Sequence, residues 1–312
     1  MSNLLVVFGA TGQQGGSVVE YVINDPELSK QYKVRAISRD LNKPAAQALQ
    51  KKGVEVVKGD ADDKDSLKHA LHGAHTVFGV TVSVYDDKLY AREYEQGKAM
   101  ADATVDAGAK YYIFSSLSHI DKGSNGKLKN GLHFDVKYDI EQYIRKLPIK
   151  SAFFNPGSFM QNFSTHMAPR PSPANDGTYS IANFVTPETK LPSIDIADDT
   201  GKYVGAILAD PSKYEGKVFS AATALYSYAE IAETMSKATG KTVKYTQLPQ
   251  QVYAGFVPPV MAGYMVDMFL WIQDYGYYGA HTKEDVEWTA KQARGKLTTL
   301  EEYFRKNPLN LE

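Results

Sequence analysis

The chain has 312 residues, of which 43% are hydrophobic and 23% are charged, the usual mixture of a globular protein with about two domains. Its 35 basic and 36 acidic side chains leave a formal net charge of −1, which excludes the concentrated positive field that nucleic acid or an anionic membrane requires. The absence of cysteine excludes disulfides, thiolate metal sites and thiol catalysis. We therefore expect a protein that binds neither nucleic acid nor membrane directly.

The two ends of the chain carry no sequence signal for export or membrane insertion. Residues 1–3 precede an apolar run, with neither a basic flank nor a small-residue cleavage site. The apolar tract at residues 259–272 contains Asp267 and is too short to cross a bilayer. These features predict a cytoplasmic protein, and an additional nuclear location stays open.

The first half of the chain alternates short β-rich runs with amphipathic segments, which is typical of a parallel sheet covered by helices. Strands are predicted at residues 4–8, 33–38, 54–57, 76–80, 111–115 and 151–154. Helices are predicted between them at residues 17–24, 44–52, 66–71, 90–107 and 133–146. This alternation predicts an α/β fold with a doubly wound parallel sheet.

Beyond Pro156 the strand–helix alternation gives way to a more helical pattern. Prolines cluster near residue 170, and helices are predicted at residues 228–239, 251–273 and 283–290, with only short strands between them. We therefore predict two domains, residues 1–156 and a smaller, mainly helical lobe at residues 157–312. This prediction includes the case in which some strands and helices of that lobe pack back on the sheet.

A glycine-rich segment joins the first predicted strand to the first predicted helix. It consists of Gly9, Ala10, Thr11, Gly12, Gln13, Gln14 and Gly15. Glycine at such a turn reaches backbone angles that a side chain forbids, and the missing Cβ lets a pyrophosphate approach the main chain. The free amides and the positive end of the helix dipole then hold the anion. This context predicts dinucleotide binding by a Rossmann-type domain, although similar turns also occur without ligands.

The end of the second predicted strand indicates which dinucleotide is preferred. Proteins that prefer NAD usually have an acidic residue there, which binds the 2′-hydroxyl of the adenosine ribose. This chain has Arg39 followed by Asp40, and Lys43 lies within reach. Because a guanidinium pairs with the 2′-phosphate that a carboxylate repels, we predict a preference for NADP(H) over NAD(H). The alternative is that Arg39 is a solvated surface charge and that Asp40 faces the ribose.

Two further strand ends fall where the chain should pass the adenosine half of a cofactor. Asp60 and Ala61 follow the third predicted strand, and Thr81, Val82 and Ser83 follow the fourth. We predict that these residues contact the adenine and its ribose. The alternative for Asp60 is the role of a helix N-cap, which is common for aspartate after a strand.

Several short motifs together resemble one family. They are residues 9–15, residues 34–39, Gly59 with Asp60, residues 96–98, and His133-Phe134-Asp135 with Lys137. With these motifs the sequence is similar, over essentially its whole length, to the NmrA-like family of atypical short-chain dehydrogenases, and especially to its NADP-binding redox-sensor branch. The resemblance implies NADP(H) binding and control of transcription or signalling through a regulatory protein partner.

The same resemblance bears on catalysis. In the enzymatic relatives, a Tyr-x-x-x-Lys pair on one helix face exchanges a proton with the carbonyl that is reduced. This chain has Lys137, but His133 stands four residues before it. The first hypothesis is that Lys137 holds the nicotinamide ribose and that efficient hydride transfer has been lost. The second makes His133 an alternative general acid, and the third makes it a packing residue only.

The resemblance also implies that Phe159, Gln161 and Asn162 lie beside the nicotinamide, although ordinary linker packing would explain them as well. We predict an NADP(H)-binding redox sensor, with an NADPH-dependent reductase of a small quinone, imine or enone substrate as the alternative. A scaffold with a vestigial cofactor site is a third class, and a homodimer stays open. The loop at residues 122–132 is predicted to be flexible and to order on cofactor binding.

One further pattern, a group of three histidines, suggests a metal site. Three histidines, His69, His72 and His75, recur at every third position beside a group of aspartates. Gly73 ends the predicted helix between them, and the spacing matches no recognised ligand pattern. We therefore predict no metal.

Overall fold

The computed structural model describes residues 2–172 and 174–311, in which strands and helices alternate through the first half. The strands are β1 (Asn3–Val7), β2 (Tyr32–Ser38), β3 (Glu55–Lys58), β4 (Thr76–Gly79), β5 (Tyr111–Ser115), β6 (Lys150–Pro156), β7 (Ser158–Phe159), β8 (Arg170–Pro171), β9 (Tyr179–Asn183), β10 (Lys190–Ile194), β11 (Val218–Ala221), β12 (Ala224–Ser227) and β13 (Val243–Gln247). The helices are α1 (Gln13–Asn24), α2 (Leu28–Gln31), α3 (Pro44–Lys51), α4 (Lys64–Leu71), α5 (Leu89–Asp106), α6 (Ile120–Gly123), α7 (Leu132–Ile144), α8 (Ile196–Ala209), α9 (Tyr228–Thr239), α10 (Gln250–Phe256), α11 (Pro259–Tyr275), α12 (Thr282–Ala290) and α13 (Leu300–Lys306). A 3₁₀ turn spans Met160–Ser164.

The main sheet is parallel throughout, and its strands run in the order β11-β6-β5-β4-β1-β2-β3. The chain winds outward from β1 to β3 in one direction and from β4 to β6 in the other, so the strand order reverses between β1 and β4. The predicted α/β, doubly wound, Rossmann-type fold is therefore confirmed. All six predicted strands are present, and β11, from the second half of the chain, adds a seventh that was not predicted.

Both faces of the sheet are covered, which explains why β1 is apolar at consecutive positions. Leu5 and Val7 belong to a core that includes Val18 of α1 and Val204 of α8. Val6, between them, belongs to the core on the opposite face, beneath α4, α5 and α7. Because side chains alternate along a strand, Leu5, Val6 and Val7 are each buried under one layer of helices or the other.

The second half of the chain divides its elements between the main sheet and a separate core. Helix α8 packs along α1 so closely that a Cβ at Gly201 would lie 2.3 Å from the Tyr21 Cβ. The remaining strands form two three-stranded sheets, β12-β10-β7 and β13-β9-β8, which share a core with α9, α11 and α13. Residues 196–221 thus return to the first sheet, and the domain boundary at residue 156 stays a prediction.

The single helix predicted at residues 251–273 is two helices, α10 and α11. Val257 between them is extended, with φ −96° and ψ 141°. Proline disfavours the helical conformation of the residue before it, and Pro258 also lacks the amide that would continue the helix. No helix in the described ranges is both long enough and apolar enough to span a membrane.

The segment between β5 and α7 is held by hydrogen bonds to its neighbours. Asn130 donates from its main-chain amide and from its side chain to the buried Asp267 carboxylate of α11, at 2.7 and 3.0 Å. The Ser124 hydroxyl accepts the Leu128 amide at 3.0 Å. Most residues of the segment at residues 122–130 are nevertheless exposed, and its flexibility stays a prediction. Ordering of this loop on cofactor binding stays a prediction.

Candidate cofactor site

The predicted cofactor residues follow the carboxyl ends of neighbouring parallel strands, and the register of the sheet brings these ends to one edge. Val7 of β1 pairs with Ala36 of β2 and with Phe78 of β4, and Ser38 of β2 pairs with Lys58 of β3. The segments after these four strands therefore leave the sheet side by side. This edge contains the reversal of strand order, where open α/β sheets commonly bind ligands.

The glycine turn presents unpaired main-chain amides at this edge. Gly9 adopts φ +64°, and its carbonyl accepts the Gly12 amide at 2.8 Å. Helix α1 begins with an exposed glycine N-cap, so no side chain caps it. Within the described residues, the amides of Gln13, Gln14 and Gly15 have no acceptor. A Cβ at Gly15 would lie 2.4 Å from the Gly9 carbonyl oxygen, so glycine is required for the close approach of α1 to β1.

The other residues of the turn differ in their exposure. Ala10 is buried in the core, whereas Thr11 is exposed. Gln14 reaches across the edge, where its Oε1 accepts the hydroxyl of Ser115 at the end of β5, at 2.8 Å. The glycine turn is thus attached to the strand that leads towards α7.

Two basic side chains beyond the end of β2 have no partner among the described residues. Arg39 and Lys43 are exposed, and neither side chain forms a hydrogen bond or an ion pair within the described part of the chain. Asp40 is also exposed, and one oxygen of its carboxylate accepts the Asn42 amide at 2.9 Å. The arrangement leaves two unpaired positive charges at the edge of the sheet, close to the glycine turn. Such charges suit a phosphate group better than an uncharged hydroxyl.

The segment after β3 is ordered by its own hydrogen bonds. The Asp60 main chain bonds the Ser66 hydroxyl through both its amide and its carbonyl, at 2.9 and 3.2 Å. The N-cap of α4 is Asp63, which accepts the Ser66 amide at 3.1 Å, so Asp60 does not have the capping role considered as an alternative. Asp60 and Ala61 are half-buried at the strand end.

Lys137 occupies the centre of a hydrogen-bond cluster between α7 and the segment after β4. Its Nζ lies 2.5 Å from Glu93 Oε1, 3.0 Å from Thr81 Oγ1 and 3.1 Å from the Thr81 carbonyl oxygen. The ammonium has three N–H groups, and each has an acceptor here. Ser83 donates to the other Glu93 oxygen at 2.6 Å, whereas Val82, between Thr81 and Ser83, is 66% exposed.

Glu93 is the member of this cluster that the sequence did not predict. Its side chain is 1% exposed, and burial alone would raise the pKa of its carboxyl. The charge of Lys137, together with hydrogen bonds from Lys137, Ser83 and Thr81, lowers that pKa below its ordinary value. Glu93 therefore stays ionised and neutralises Lys137. One feature of the sequence could have identified Glu93: it is an acidic residue on the same face of α5 as the buried Leu89, Gly97 and Met100.

His133 lies one turn before Lys137 and is enclosed by aromatic rings. Its side chain is 5% exposed, and neither ring nitrogen has a partner in the described residues. The ring centroids of Phe134, Tyr85 and Tyr264 lie 4.9, 5.6 and 6.0 Å from that of His133. Burial, followed by the charge of Lys137, lowers the pKa of His133 to about 3. The imidazole is therefore neutral at physiological pH and carries no proton to give as an imidazolium.

The three residues expected beside the nicotinamide have different surroundings. The Gln161 side chain is engaged at both ends, since its Nε2 donates to Asp195 at 2.7 Å and its Oε1 accepts the Ile196 amide at 3.4 Å. Phe159 is half-buried and packs against the core of the main sheet. The half-buried Asn162 forms no side-chain hydrogen bond with other described residues. Of the three, Asn162 keeps a free polar side chain.

The histidines considered as metal ligands are spread over the end of α4 and the start of β4. His69 and His72 are exposed, while the Nδ1 of half-buried His75 bonds the Thr76 hydroxyl at 2.9 Å. In the ranges that the structure describes, no group of three or more histidine, aspartate or glutamate side chains is placed to hold a metal.

The chain is similar to known proteins over nearly its whole length. The model of the NmrA-like family matches residues 1–304. An NmrA-like family domain-containing protein of Dictyostelium discoideum is 31% identical over 98% of both chains. The NmrA-like family domain-containing oxidoreductase malD of Malbranchea aurantiaca is 32% identical over 80% of this chain and 76% of its own. The crystal structure of NmrA, a negative transcriptional regulator, in complex with NADP superposes with a TM-score of 0.81 at 24% identity, over 98% of this chain and 95% of that one. The chain belongs to the NmrA-like family.

Proposed function

We propose that this protein binds NADP(H) in preference to NAD(H) and acts as a redox-sensing regulatory protein without efficient dehydrogenase activity. The observation that carries the proposal is the state of the two residues at the expected reaction centre. Lys137 is neutralised by Glu93, and His133 is a buried, neutral imidazole. A site of this kind can hold a nicotinamide cofactor but has no acid for carbonyl reduction.

The described residues fit a dinucleotide at the carboxyl edge of the sheet. The amides of residues 13–15 are free to bind the pyrophosphate, and Arg39 and Lys43 are free to pair with a 2′-phosphate. Support also comes from NmrA, which has been crystallised with NAD and with NADP. Since the adenosine segment at residues 81–83 is bonded to Lys137 through Thr81, both halves of a bound cofactor would meet one cluster.

A bound nicotinamide would supply a hydride donor or acceptor, but reduction of a carbonyl also requires a proton at its oxygen. The imidazole of His133 would have to act as an acid with a pKa of about 3, which makes it almost wholly deprotonated near neutrality. The ammonium of Lys137 already donates to three acceptors, and losing a proton there would leave Glu93 as an unpaired buried charge. Neither residue is suited to efficient proton transfer.

The same cluster provides a path by which cofactor occupancy reaches the surface. A ribose hydroxyl that bonds Lys137 must compete with Thr81 or Glu93, and Glu93 also holds Ser83. The segment at residues 80–88 therefore responds to the site, and it exposes Val82 and Val84. We propose that this surface transmits the cofactor state to a protein partner, in the cytoplasm and also in the nucleus, without direct contact with nucleic acid. A homodimer stays open.

Two measurements test the proposal. Calorimetric titration should give tighter binding of NADPH than of NADH. Absorbance of the reduced nicotinamide, followed against a panel of aldehydes, ketones, enones, imines and quinones, should show no efficient turnover. Absence of NADPH binding would refute the cofactor assignment. Turnover that disappears in Lys137→Ala but persists in Lys146→Ala would refute the sensor assignment in favour of an enzyme.

A second candidate is an NADPH-dependent reductase of a quinone, imine or enone. It is favoured by the oxidoreductase names of relatives such as malD, which is 32% identical, and FrzB of a Cladobotryum species, which is 31% identical. Because the site has no suitable acid, such an enzyme would work best on acceptors that are already cationic, such as an iminium, or that are protonated by solvent. Turnover of an iminium compound with no turnover of simple ketones would identify this case.

A further inference from the structure

His133 is a buried polar side chain whose hydrogen-bonding capacity nothing in the described structure uses. Its Nδ1 and Nε2 are both buried without a partner. A neutral imidazole offers one N–H donor and one nitrogen acceptor. Native structures leave few buried polar groups unsatisfied, and each such group calls for an explanation such as a bound ligand.

A second unsatisfied polar atom lies at the same edge of the sheet. Asn155, at the end of β6, is 6% exposed, and its Oδ1 has no partner among the described residues. Asn155 lies on the same face of β6 as Phe153, because side chains two apart share a face, and Phe153 packs in the core that includes Val136 of α7. Asn155 and His133 therefore belong to the layer between the sheet and α7.

The position of α7 relative to the strand ends brings the two residues into one region. Ser116, which follows β5, donates its amide to the Phe154 carbonyl at 2.9 Å and its hydroxyl to the Lys137 carbonyl at 3.2 Å. It thus connects the end of β6, where Asn155 lies, to the turn of α7 that begins with His133. His133 lies one turn before Lys137, and Asn155 directly follows the residue whose carbonyl accepts the Ser116 amide.

The surroundings of His133 are aromatic and carry no free charge. Tyr85 and Tyr264 form one side, with ring centroids 5.5 Å apart, and Phe134 with Tyr277 forms another, at the same 5.5 Å spacing. Lys137, the nearest cation on the same helix face, is neutralised by Glu93. A charged ligand would lose its hydration without gaining a counter-ion here. The region favours an uncharged aromatic molecule.

We propose that His133 and Asn155 form the polar end of a binding site for an uncharged hydroxylated aromatic compound. A phenolic hydroxyl accepts from the imidazole N–H and donates to the Asn155 amide oxygen, so it satisfies that oxygen and one of the two imidazole nitrogens. Tyr85 is half-buried on the irregular segment before α5, forms no hydrogen bond among the described residues, and is the ring that the ligand displaces. The placement of this ligand beside the nicotinamide rests on the proposed function.

The test compares two probes that differ in the hydroxyl group, 2-naphthol and 2-methoxynaphthalene. Calorimetry on the full chain, with and without NADPH, should show that the wild type binds 2-naphthol about tenfold more tightly than the ether. His133→Phe keeps an aromatic ring but removes both nitrogens, and it should reduce this preference to about twofold or less. The control His75→Phe replaces a histidine at the opposite edge of the sheet and should retain the preference.

Asn155→Leu provides an independent variant and should also lose the preference for the hydroxyl. Failure of the wild type to bind 2-naphthol, an equal affinity for both probes, or an unchanged preference in both variants would overturn the proposal. The two proposals fail separately. If the protein discriminates between the probes but does not bind NADPH, the proposal for this site is supported and the proposed function is refuted. If it binds NADPH but does not discriminate between the probes, cofactor binding is supported and the proposal for this site is refuted.

Discussion

Lys137 and Glu93 form a buried ion pair, with Nζ and Oε1 2.5 Å apart and side chains that are 13% and 1% exposed. Hydroxyls of Thr81 and Ser83 donate to the two oxygens of the same carboxylate, each at 2.6 Å. Removal of two charges from water is costly, and it is offset only when the remaining hydrogen-bonding groups are also satisfied. Because each partner here is the counter-ion of the other, loss of one affects the folded state as well as the site.

We expect Lys137→Met to destabilise the protein by about 3 kcal/mol, because it leaves the Glu93 carboxylate buried without a counter-ion. Urea unfolding at neutral pH measures this loss. The double variant with Glu93→Gln should lose less than the sum of the two single variants, since it removes both charges. In the exposed pair of Lys237 with Glu233, Lys237→Met should change stability little. Additive losses in the double variant would contradict the coupling of Lys137 to Glu93.

Gly15→Ala tests the approach of α1 to β1. The new Cβ would lie 2.4 Å from the Gly9 carbonyl oxygen and 2.6 Å from that of Phe8, both of them main-chain atoms. We expect a loss of about 1–3 kcal/mol in unfolding free energy, and a fall in NADPH affinity of about tenfold or more because the turn must shift. Gly255→Ala is the matched control, because a Cβ there has no neighbour within 4 Å. An unchanged NADPH affinity in Gly15→Ala would argue against pyrophosphate binding at this turn.

Arg39→Ala tests the predicted preference for NADP(H). Loss of a charge-assisted bond to the 2′-phosphate should reduce NADPH affinity by about tenfold or more, whereas NADH affinity should change by less than about threefold. Parallel calorimetric titrations with the two cofactors measure the difference. Arg170→Ala, in β8, removes an exposed arginine far along the chain from this edge and should affect neither titration. Equal losses for NADPH and NADH would show that Arg39 does not recognise the phosphate.

The elements that could be predicted from the sequence are those encoded locally. The apolar run of β1 and the glycine turn after it lie within fifteen residues, and their order along the chain is itself the signal. Strand β11 could not be predicted in this way. It is four residues long and pairs with β6, where Val218 lies opposite Phe153, so only the tertiary fold assigns it to the first sheet.

The candidate site likewise combines features that are encoded locally with features that depend on the tertiary fold. The spacing of His133 and Lys137 on one helix face is a local property, and it predicted both residues as candidates for the site. The acidic partner of Lys137 is Glu93, which lies 44 residues earlier in the chain, so no local pattern connects the two. The burial of His133 is also non-local, because Tyr264 of α11 covers it. The sequence therefore indicated His133 and Lys137 as candidates, but neither Glu93 nor the charge states of these residues.

The pH dependence of stability tests the buried, neutral state of His133. The folded protein holds its pKa at about 3, whereas an unfolded histidine titrates near 6.5. Between these values the unfolded chain binds the proton that the folded chain excludes, so acidification through this range destabilises the protein. Asp135 acts in the opposite direction, because burial raises the pKa of its carboxyl to about 7. The folded protein therefore takes up a proton at Asp135 before the unfolded chain does, and this partly masks the effect of His133.

Comparison of the wild type with His133→Phe separates the two contributions, since Asp135 is present in both proteins. The variant should be more stable at pH 8, because it removes two unsatisfied buried nitrogens. Its advantage should be larger at pH 5 by about 2 kcal/mol, the linkage expected for one histidine that is protonated only when unfolded. Urea unfolding of both proteins at the two pH values measures this difference. An advantage that does not change between pH 8 and pH 5 would mean that His133 takes up a proton in the folded protein, and a general-acid role would then regain support.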